Sequence, residues 1–307
     1  MQRIGIVSAF GAEADILIAQ TRAKRQWNIN GNLFTTGVLR GSPVVIVLSG
    51  VSMINATMVT QLMMNHFRLE RVVMSGIAGG INPARHVGDV LVPERWAMPM
   101  EVYWSDSAKV PEPCGKPGDL SCLGLQIAGD AGKPMPSFVI PATTGPVETG
   151  LFMRENFVMS TKTSPKGEYR FDFVADPQML AVARSVQPKF LQCGPKDTKQ
   201  CVSTQPTLHV GGRGISGTAF LANPHYRDYL FKTISAELVD METAAVAHVA
   251  YANGIPFIGF RSLSDLAGAH EFNKDVGALF SSGLAEANAS ALTLAFLDAW
   301  KRRSAKK

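Results

Sequence analysis

The hydrophobic pattern of this chain changes character twice. Up to about residue 92, short unbroken apolar runs alternate with longer mixed segments, and small residues sit at the joins. Residues 3–9 form a short apolar run ending in a turn region, and Val44–Leu48 and Arg71–Ser75 are runs of the kind that marks strands buried on both faces. Residues 13–26 and Asn55–Phe67 read as helices, with Ser49-Gly50 punctuating the join before the second, and Asp89–Val92 reads as a further strand. The alternation resumes at Leu208–Gly211 and Gly214–Phe220. A helix follows from Met241 to Asn253, stopped by Gly254, then a strand Pro256–Leu263 and a long last helix Val276–Trp300. Strands alternating with helices across short glycine turns predict an α/β domain, a mixed or largely parallel sheet covered by helices. No internal repeat is visible.

Between these two regular regions the chain is loop-rich. Fourteen of the eighteen prolines and all four cysteines fall between Pro93 and Pro206. Within it, Phe152–Met159 reads as a strand, and Asp176–Val186 as a helix capped by Asp176 with Pro177 in its first turn. The organisation expected is one domain over residues 1–307, with insertions at about 103–168 and 190–206.

Composition narrows the class. Of 307 residues, 46 % are apolar and 18 % charged, enough to fill a core and too few charges for a disordered chain. Much of the net charge of +5 comes from the tail Lys301-Arg302-Arg303-Ser304-Ala305-Lys306-Lys307. No aromatic residues interleave with those charges, so a solvated tail is expected rather than nucleic-acid contact. No apolar run approaches the ~20 residues of a membrane span. Cys114 and Cys122, and Cys193 and Cys201, pair up in loops without zinc-type spacing, which points to disulfides and to a periplasmic or secreted location. Reduced surface thiols in a cytoplasmic protein are the alternative. Export would need a leader removed ahead of Met1, because Arg3-Ile4-Gly5-Ile6-Val7 already reads as a first strand.

Acidic residues stand where such a sheet would build a site. Open α/β sheets bind ligands beyond the carboxyl ends of their strands, and a carboxylate buried there is costly without partners. Glu242 opens an alanine-rich helix among Met241, Ala244, Ala245, Val246 and Val249; its bland role is a buried salt bridge. Asp265 follows Ser264 past an apolar strand, where N-capping is the bland role. Glu13 lies near a helix N-terminus after the first strand, where dipole compensation would explain it. Three carboxylates converging at strand ends would suit glycosidic cleavage. One protonates the leaving group, one activates water, and one stabilises the positive charge developing on the sugar. Phe220, after Ser216-Gly217-Thr218-Ala219, either stacks on a base or packs in the core. Gly76, Gly79 and Gly80 fit neither G-x-G-x-x-G nor the P-loop and read as a tight turn, with or without a ligand against its backbone. The six histidines show no ligand spacing, and His248 reads as a core residue.

Together the pieces resemble the nucleoside phosphorylase superfamily, and more narrowly the 5′-methylthioadenosine/S-adenosylhomocysteine nucleosidases. They are Ile4-Gly5-Ile6-Val7-Ser8-Ala9 with Glu13, Ser49-Gly50-Val51, Ser75-Gly76-Ile77-Ala78-Gly79-Gly80, Val87-Gly88-Asp89-Val90, Ser216-Gly217-Thr218-Ala219-Phe220, Val239-Asp240-Met241-Glu242 and Arg261-Ser262-Leu263-Ser264-Asp265. The resemblance implies a three-layer α/β/α phosphorylase fold around a mixed twisted sheet, a homo-oligomer, a small purine nucleoside as ligand and no metal or organic cofactor. It implies hydrolytic release of the base, with Asp265, helped by Ser264, protonating the purine and Glu13 activating water. Glu242 would hold the ribose hydroxyls, Met241 lie against the sugar, Phe220 stack on the base and the Leu221 backbone read its edge. Gly79 and Ile77 would line the substrate from the glycine-rich segment, and Phe10 and Phe272 the sugar's far end. A phosphate-dependent phosphorylase is the close alternative. Its phosphate-binding arginine two residues ahead of Gly76 is here Met74, and its N-terminal loop arginine is missing from Phe10-Gly11-Ala12-Glu13. Two departures stand out: Ile77 occupies a position often serine in the nucleosidases, and the insertions fall where the substrate-end pocket and subunit contacts are built. Plant storage relatives carry similar extra segments, so a nucleoside-binding or storage protein is the second alternative.

Overall fold

The computed structural model describes residues 1–99, 156–268 and 281–304; Cys114, Cys122, Phe272 and most of the first insertion lie outside them. In chain order the first half comprises β1 (Arg3–Ser8), α1 (Gly11–Gln20), β2 (Arg22–Ile29), β3 (Asn32–Leu39), β4 (Ser42–Leu48), α2 (Met53–His66), β5 (Leu69–Gly80), β6 (Val90–Val92) and β7 (Arg95–Ala97). Then come β8 (Asn156–Ser160), β9 (Ser164–Arg170), β10 (Asp172–Val174), α3 (Pro177–Ser185), β11 (Leu208–Val210) and β12 (Arg213–Ser216). The last are α4 (Pro224–Ile234), β13 (Ala236–Asp240), α5 (Thr243–Asn253), β14 (Phe257–Asp265) and α6 (Leu284–Ser304). The described elements belong to one compact unit, Met1–Glu101 with Glu155–Lys307.

Alternate residues of the apolar runs point to opposite faces of one sheet, and both faces are covered. Ile4, Ile6, Val44, Ile46 and Val73 bury with Leu17 of α1, Met179 and Ala183 of α3, and Leu292 and Phe296 of α6. Their sequence neighbours Val7, Val45, Val47, Val72 and Met74 bury with Val59 and Met63 of α2 and the alanines of α5. This is the three-layer α/β/α arrangement, and it explains why these strands carry apolar residues on both faces.

Among the described residues, twelve strands form a mixed sheet along β10-β7-β12-β13-β5-β1-β4-β3-β2, with β14, β6 and β11 branching from β5. The hub is β5. β1 runs parallel to its first half, β14 runs parallel from Val72 to Gly79, and β13 meets Gly79 and Gly80 antiparallel. β8 and β9 form a separate hairpin.

Several sequence expectations need correction. The helix expected over 13–26 ends at Gln20, where the Thr21 hydroxyl donates to the Leu17 carbonyl and the chain turns into β2. Strand β2 is an exposed sheet edge, so it lacks the apolar alternation by which a strand is read; β3, its hairpin partner, went unread with it. Gly76–Gly80 is not a turn but the end of β5. The strand expected over Gly214–Phe220 stops at Ser216. Of the final helix expected over Val276–Trp300, residues 276–280 lie outside the described residues; the helix described runs Leu284–Ser304, after Gly283 takes a left-handed φ of +74°. The Asp176 cap and the Gly254 stop are as expected: Asp176 accepts from the amides of Gln178 and Met179, and Gly254 is left-handed. Cys193 and Cys201 form a disulfide.

Candidate active site

The centre of the site is a residue that the sequence reading quoted only within a motif. Arg261, in the middle of β14, is fully buried, and three carboxylates surround its guanidinium. Nε lies 2.8 Å from Asp240 Oδ2, Nη2 lies 3.2 Å from Glu242 Oε2, and Nη1 lies 3.4 Å from Glu13 Oε1. Nη1 also donates to the Ile77 carbonyl at 3.0 Å. Three acids against one base leave the cluster short of positive charge.

Glu13 sits in the first turn of α1, and both of its oxygens are engaged. Oε2 accepts from the amides of Ala9 (2.6 Å) and Phe10 (3.3 Å), so it does serve the helix N-terminus. Oε1 accepts from the Ile77 amide at 2.8 Å, across the sheet on β5. Burial nonetheless raises its pKa to about 7, outweighing Arg261 and those amides. Glu242 is the N-cap residue of α5. Its Oε1 accepts from the Ser52 amide at 3.0 Å, and burial pushes its pKa up against the pull of Arg261. Ser52 is held at φ +105°, a region costly for a residue with a side chain; that backbone aims its N–H at Glu242.

Asp265 ends β14 opposite Gly79, while Arg261 pairs with Gly76 on the same strand. Three residues of β5 therefore separate the two centres, about 10 Å at strand rise. Ser264 donates to Asp265 Oδ2 at 2.9 Å, and the Ala267 amide donates to Oδ1 at 2.8 Å from a backbone also forced to positive φ. Burial raises the Asp265 pKa above the ordinary carboxylate range, against those two hydrogen bonds. The glycines of β5 have a packing reason. A Cβ on Gly76 would lie 2.2 Å from Glu13 Oε1 and 2.4 Å from Arg261 Nη1, and one on Gly79 would lie 2.8 Å from Asp265 Oδ1.

The structure brings Glu13, Ile77 and Glu242 together on Arg261, and sets Asp265, Ser264 and Gly79 at the end of the same strand pair. Phe10 is the N-cap residue of α1, beside Glu13, and Met241, half-buried, lies between Asp240 and Glu242. Phe220 and Leu221 are in the loop between β12 and α4. That loop reaches the Asp265 turn, because a Cβ on Gly268 would lie 2.3 Å from the backbone of Ala222 and Asn223. Ile77 offers the site its backbone while its side chain is buried, and Met74 is fully buried in the core. His248 stacks on Phe173 in that same layer.

Known proteins share this frame. Curated relatives include 5′-methylthioadenosine/S-adenosylhomocysteine nucleosidases of Lysinibacillus sphaericus, 26 % identical, and of a Marinomonas species, 27 % identical; each alignment covers 87 % of both chains. Among solved structures, the same-named nucleosidase of S. pneumoniae, held with a transition-state inhibitor, superposes with a TM-score of 0.62 at 20 % identity over 97 % of this chain and all of that one. Futalosine hydrolase of Helicobacter pylori gives 0.61 at 19 % identity, covering 98 % of each. At those identities the superpositions speak for the fold. The family model described as the phosphorylase superfamily matches residues 3–298, taking in the sheet, Arg261 and every acid around it, and the chain belongs to that superfamily.

Proposed function

We propose that this protein hydrolyses the N-glycosidic bond of a purine nucleoside and releases the free base. The observation that carries the reading is Glu13: a buried carboxylate near neutral pKa, tied through one arginine to Glu242 and bonded to β5, whose partner strand β14 bears Asp265. Asp265, its pKa raised by burial and its carboxyl oriented by Ser264 and Ala267, donates to the purine ring nitrogen as the bond to the sugar lengthens. Electron density leaves the sugar with the base, and Glu242 takes the ribose hydroxyls on its free lone pairs beside the developing positive charge. Glu13, ionised, takes a proton from the water that attacks the anomeric carbon. Phe220 stacks on the base, the Leu221 backbone reads its edge, and Met241, Ile77, Gly79 and Phe10 shape the rest of the pocket.

Hydrolysis is favoured over phosphorolysis by charge. Arg261 is already outnumbered by carboxylates, and a phosphate dianion seated beside it would face Glu13 and Glu242. Met74, where a phosphorylase arginine would stand, is sealed in the core. Relatives named for 5′-methylthioadenosine and S-adenosylhomocysteine make 5′-thioether adenosines the first substrates to try, and a homo-oligomer the assembly to look for. The test is a panel of purine nucleosides, the thioethers among them, assayed for free base in phosphate-free and phosphate-containing buffer. Base release without phosphate is expected. Release only with phosphate would make it a phosphorylase, and binding without release a nucleoside-binding protein.

A further inference from the structure

Asp240 is the closest of the three acids to Arg261, yet it has no part in the chemistry just described. It closes β13, two residues ahead of Glu242, and it is buried. Its Oδ1 accepts from the Ser216 hydroxyl and from the amides of Glu242 and Thr243, both at 3.1 Å. Its Oδ2 accepts from the Thr243 hydroxyl and faces Arg261 Nε at 2.8 Å. The Thr243 hydroxyl accepts in turn from that Nε at 2.8 Å. Every neighbour is a donor, and a carboxylate has about four lone-pair sites. Asp240 is thus held by four hydrogen bonds and the ion pair, more contacts than either glutamate of the cluster makes. Glu242, with one amide and one guanidinium contact, keeps lone pairs free.

We propose that Asp240 is a positioning residue: with Ser216 and Thr243 it fixes the Nε edge of Arg261, so that the opposite edge of the same guanidinium is presented to both Glu13 and Glu242. This rests on the nucleosidase reading above. The planar guanidinium makes the arrangement specific, because fixing one edge sets the direction of both terminal nitrogens. Asp240 also spans elements that must stay in register. It receives hydrogen bonds from the end of β12, through Ser216, and from the start of α5, and it touches β14 through Arg261. Ser216 further accepts from the Ala244 amide, so the start of α5 and the guanidinium are set by one acid.

Charge follows geometry. Asp240 holds the Glu242 pKa up, alongside burial and against Arg261. Glu13 from α1, Glu242 at the head of α5 and Arg261 from β14 are the charged groups that face it or share its arginine. Removing the charge of Asp240 takes the cluster from three carboxylates per guanidinium to two, so Glu13 and Glu242 should ionise more easily.

Asp240→Asn is the variant to make, since an amide NH2 would meet Arg261 Nε or Thr243 donor to donor. With a nucleoside that the wild type hydrolyses, kcat is expected to fall 10- to 100-fold with KM changed less than threefold, and the acid limb of kcat/KM to move down by about one pH unit. In an Arg261→Gln background the same substitution should have less than a twofold effect, because the residue it acts through is gone. A merely structural role would give additive losses and an unmoved limb, and either result overturns the assignment. Should Asp240→Asn fold poorly, Thr243→Val keeps the charge and the shape; it is expected to lower kcat a few-fold with the limb in place, and wild-type kcat would overturn the assignment. If the wild type releases no base at all, the nucleosidase reading fails by itself. The positioning role is then read from 13C titration of the Glu13 carboxylate: a downward shift in Asp240→Asn that vanishes in Arg261→Gln supports it, and no shift overturns it.

Discussion

Asp265 and Glu242 carry different burdens, and their surroundings separate them. Among the described residues Asp265 has a serine hydroxyl, one amide and no cation as hydrogen-bonding partners, so burial outweighs them and raises its pKa, which suits a proton donor. Asp265→Asn preserves the shape and an oxygen for the Ala267 amide but removes the acidic proton. Turnover should fall by about 10²- to 10⁴-fold, the usual worth of a positioned general acid, while nucleoside binding persists. Turnover equal to wild type in a single-turnover assay would remove Asp265 from the mechanism. The three acids were legible because carboxylates next to apolar strands are expensive, and the bland role of Glu242 as a buried salt bridge was also right. Arg261 and Asp240 were legible only as letters in motifs. Their meaning depends on a contact between residues twenty-one apart in sequence, and no local pattern reports that.

At the level of elements, β5 shows why the site needs glycine. A turn was expected at Gly76–Gly80 because glycine commonly marks one; instead the strand continues, and the missing side chains make room for Glu13, Arg261 and Asp265. Gly76→Ala would place a methyl within 2.4 Å of two groups, Glu13 and Arg261, that other contacts hold in place. Overpacking of this kind costs about 1–3 kcal/mol, and here the strain falls on the proposed base. The expected result is a melting temperature lowered by several degrees and base release down at least tenfold, with an unchanged far-UV circular dichroism spectrum. Wild-type activity in Gly76→Ala would mean that Glu13 can move freely, contrary to the packing described. Buried strands such as β4 and β5 were readable because apolar residues fill both faces. Edge strand β2, exposed almost throughout, offers no such contrast; its Arg22, Lys24 and Arg25 suit an edge that must resist pairing with other chains.

For the molecule as a whole, the site that would give activity also takes stability away, and the two should cross in the same pH range. Glu13 has a pKa of about 7 in the folded protein against an ordinary 4.5, so the folded state holds a proton that the unfolded chain gives up. The stability from that proton is fully present below pH 4.5 and is lost as pH rises through 7. The span of about 2.5 units corresponds to roughly 3 kcal/mol. Glu242 and Asp265, also raised, act in the same direction. Asp89 opposes them only in acid: it is lowered to about 2 by the hydrogen bonds of His209, His86 and Thr207, and its contribution is lost as pH falls from 3.8 through 2. His248, lowered by burial, opposes them below pH 6.5, but Glu286 is raised as well, so four raised acids outnumber it between pH 5 and 8. Catalysis runs the other way, since Glu13 must be ionised to take a proton from water, and kcat/KM should climb to a plateau above pH 7. Urea unfolding at pH 5, 6, 7 and 8 should show the wild type losing stability across the series. Glu13→Gln, which cannot titrate, should lose less by up to roughly 3 kcal/mol and should lack the ascending limb in its residual activity. A difference between the two proteins that stays constant from pH 5 to 8 would mean that Glu13 ionises at an ordinary pKa, and the base of the proposed reaction would have to be sought elsewhere.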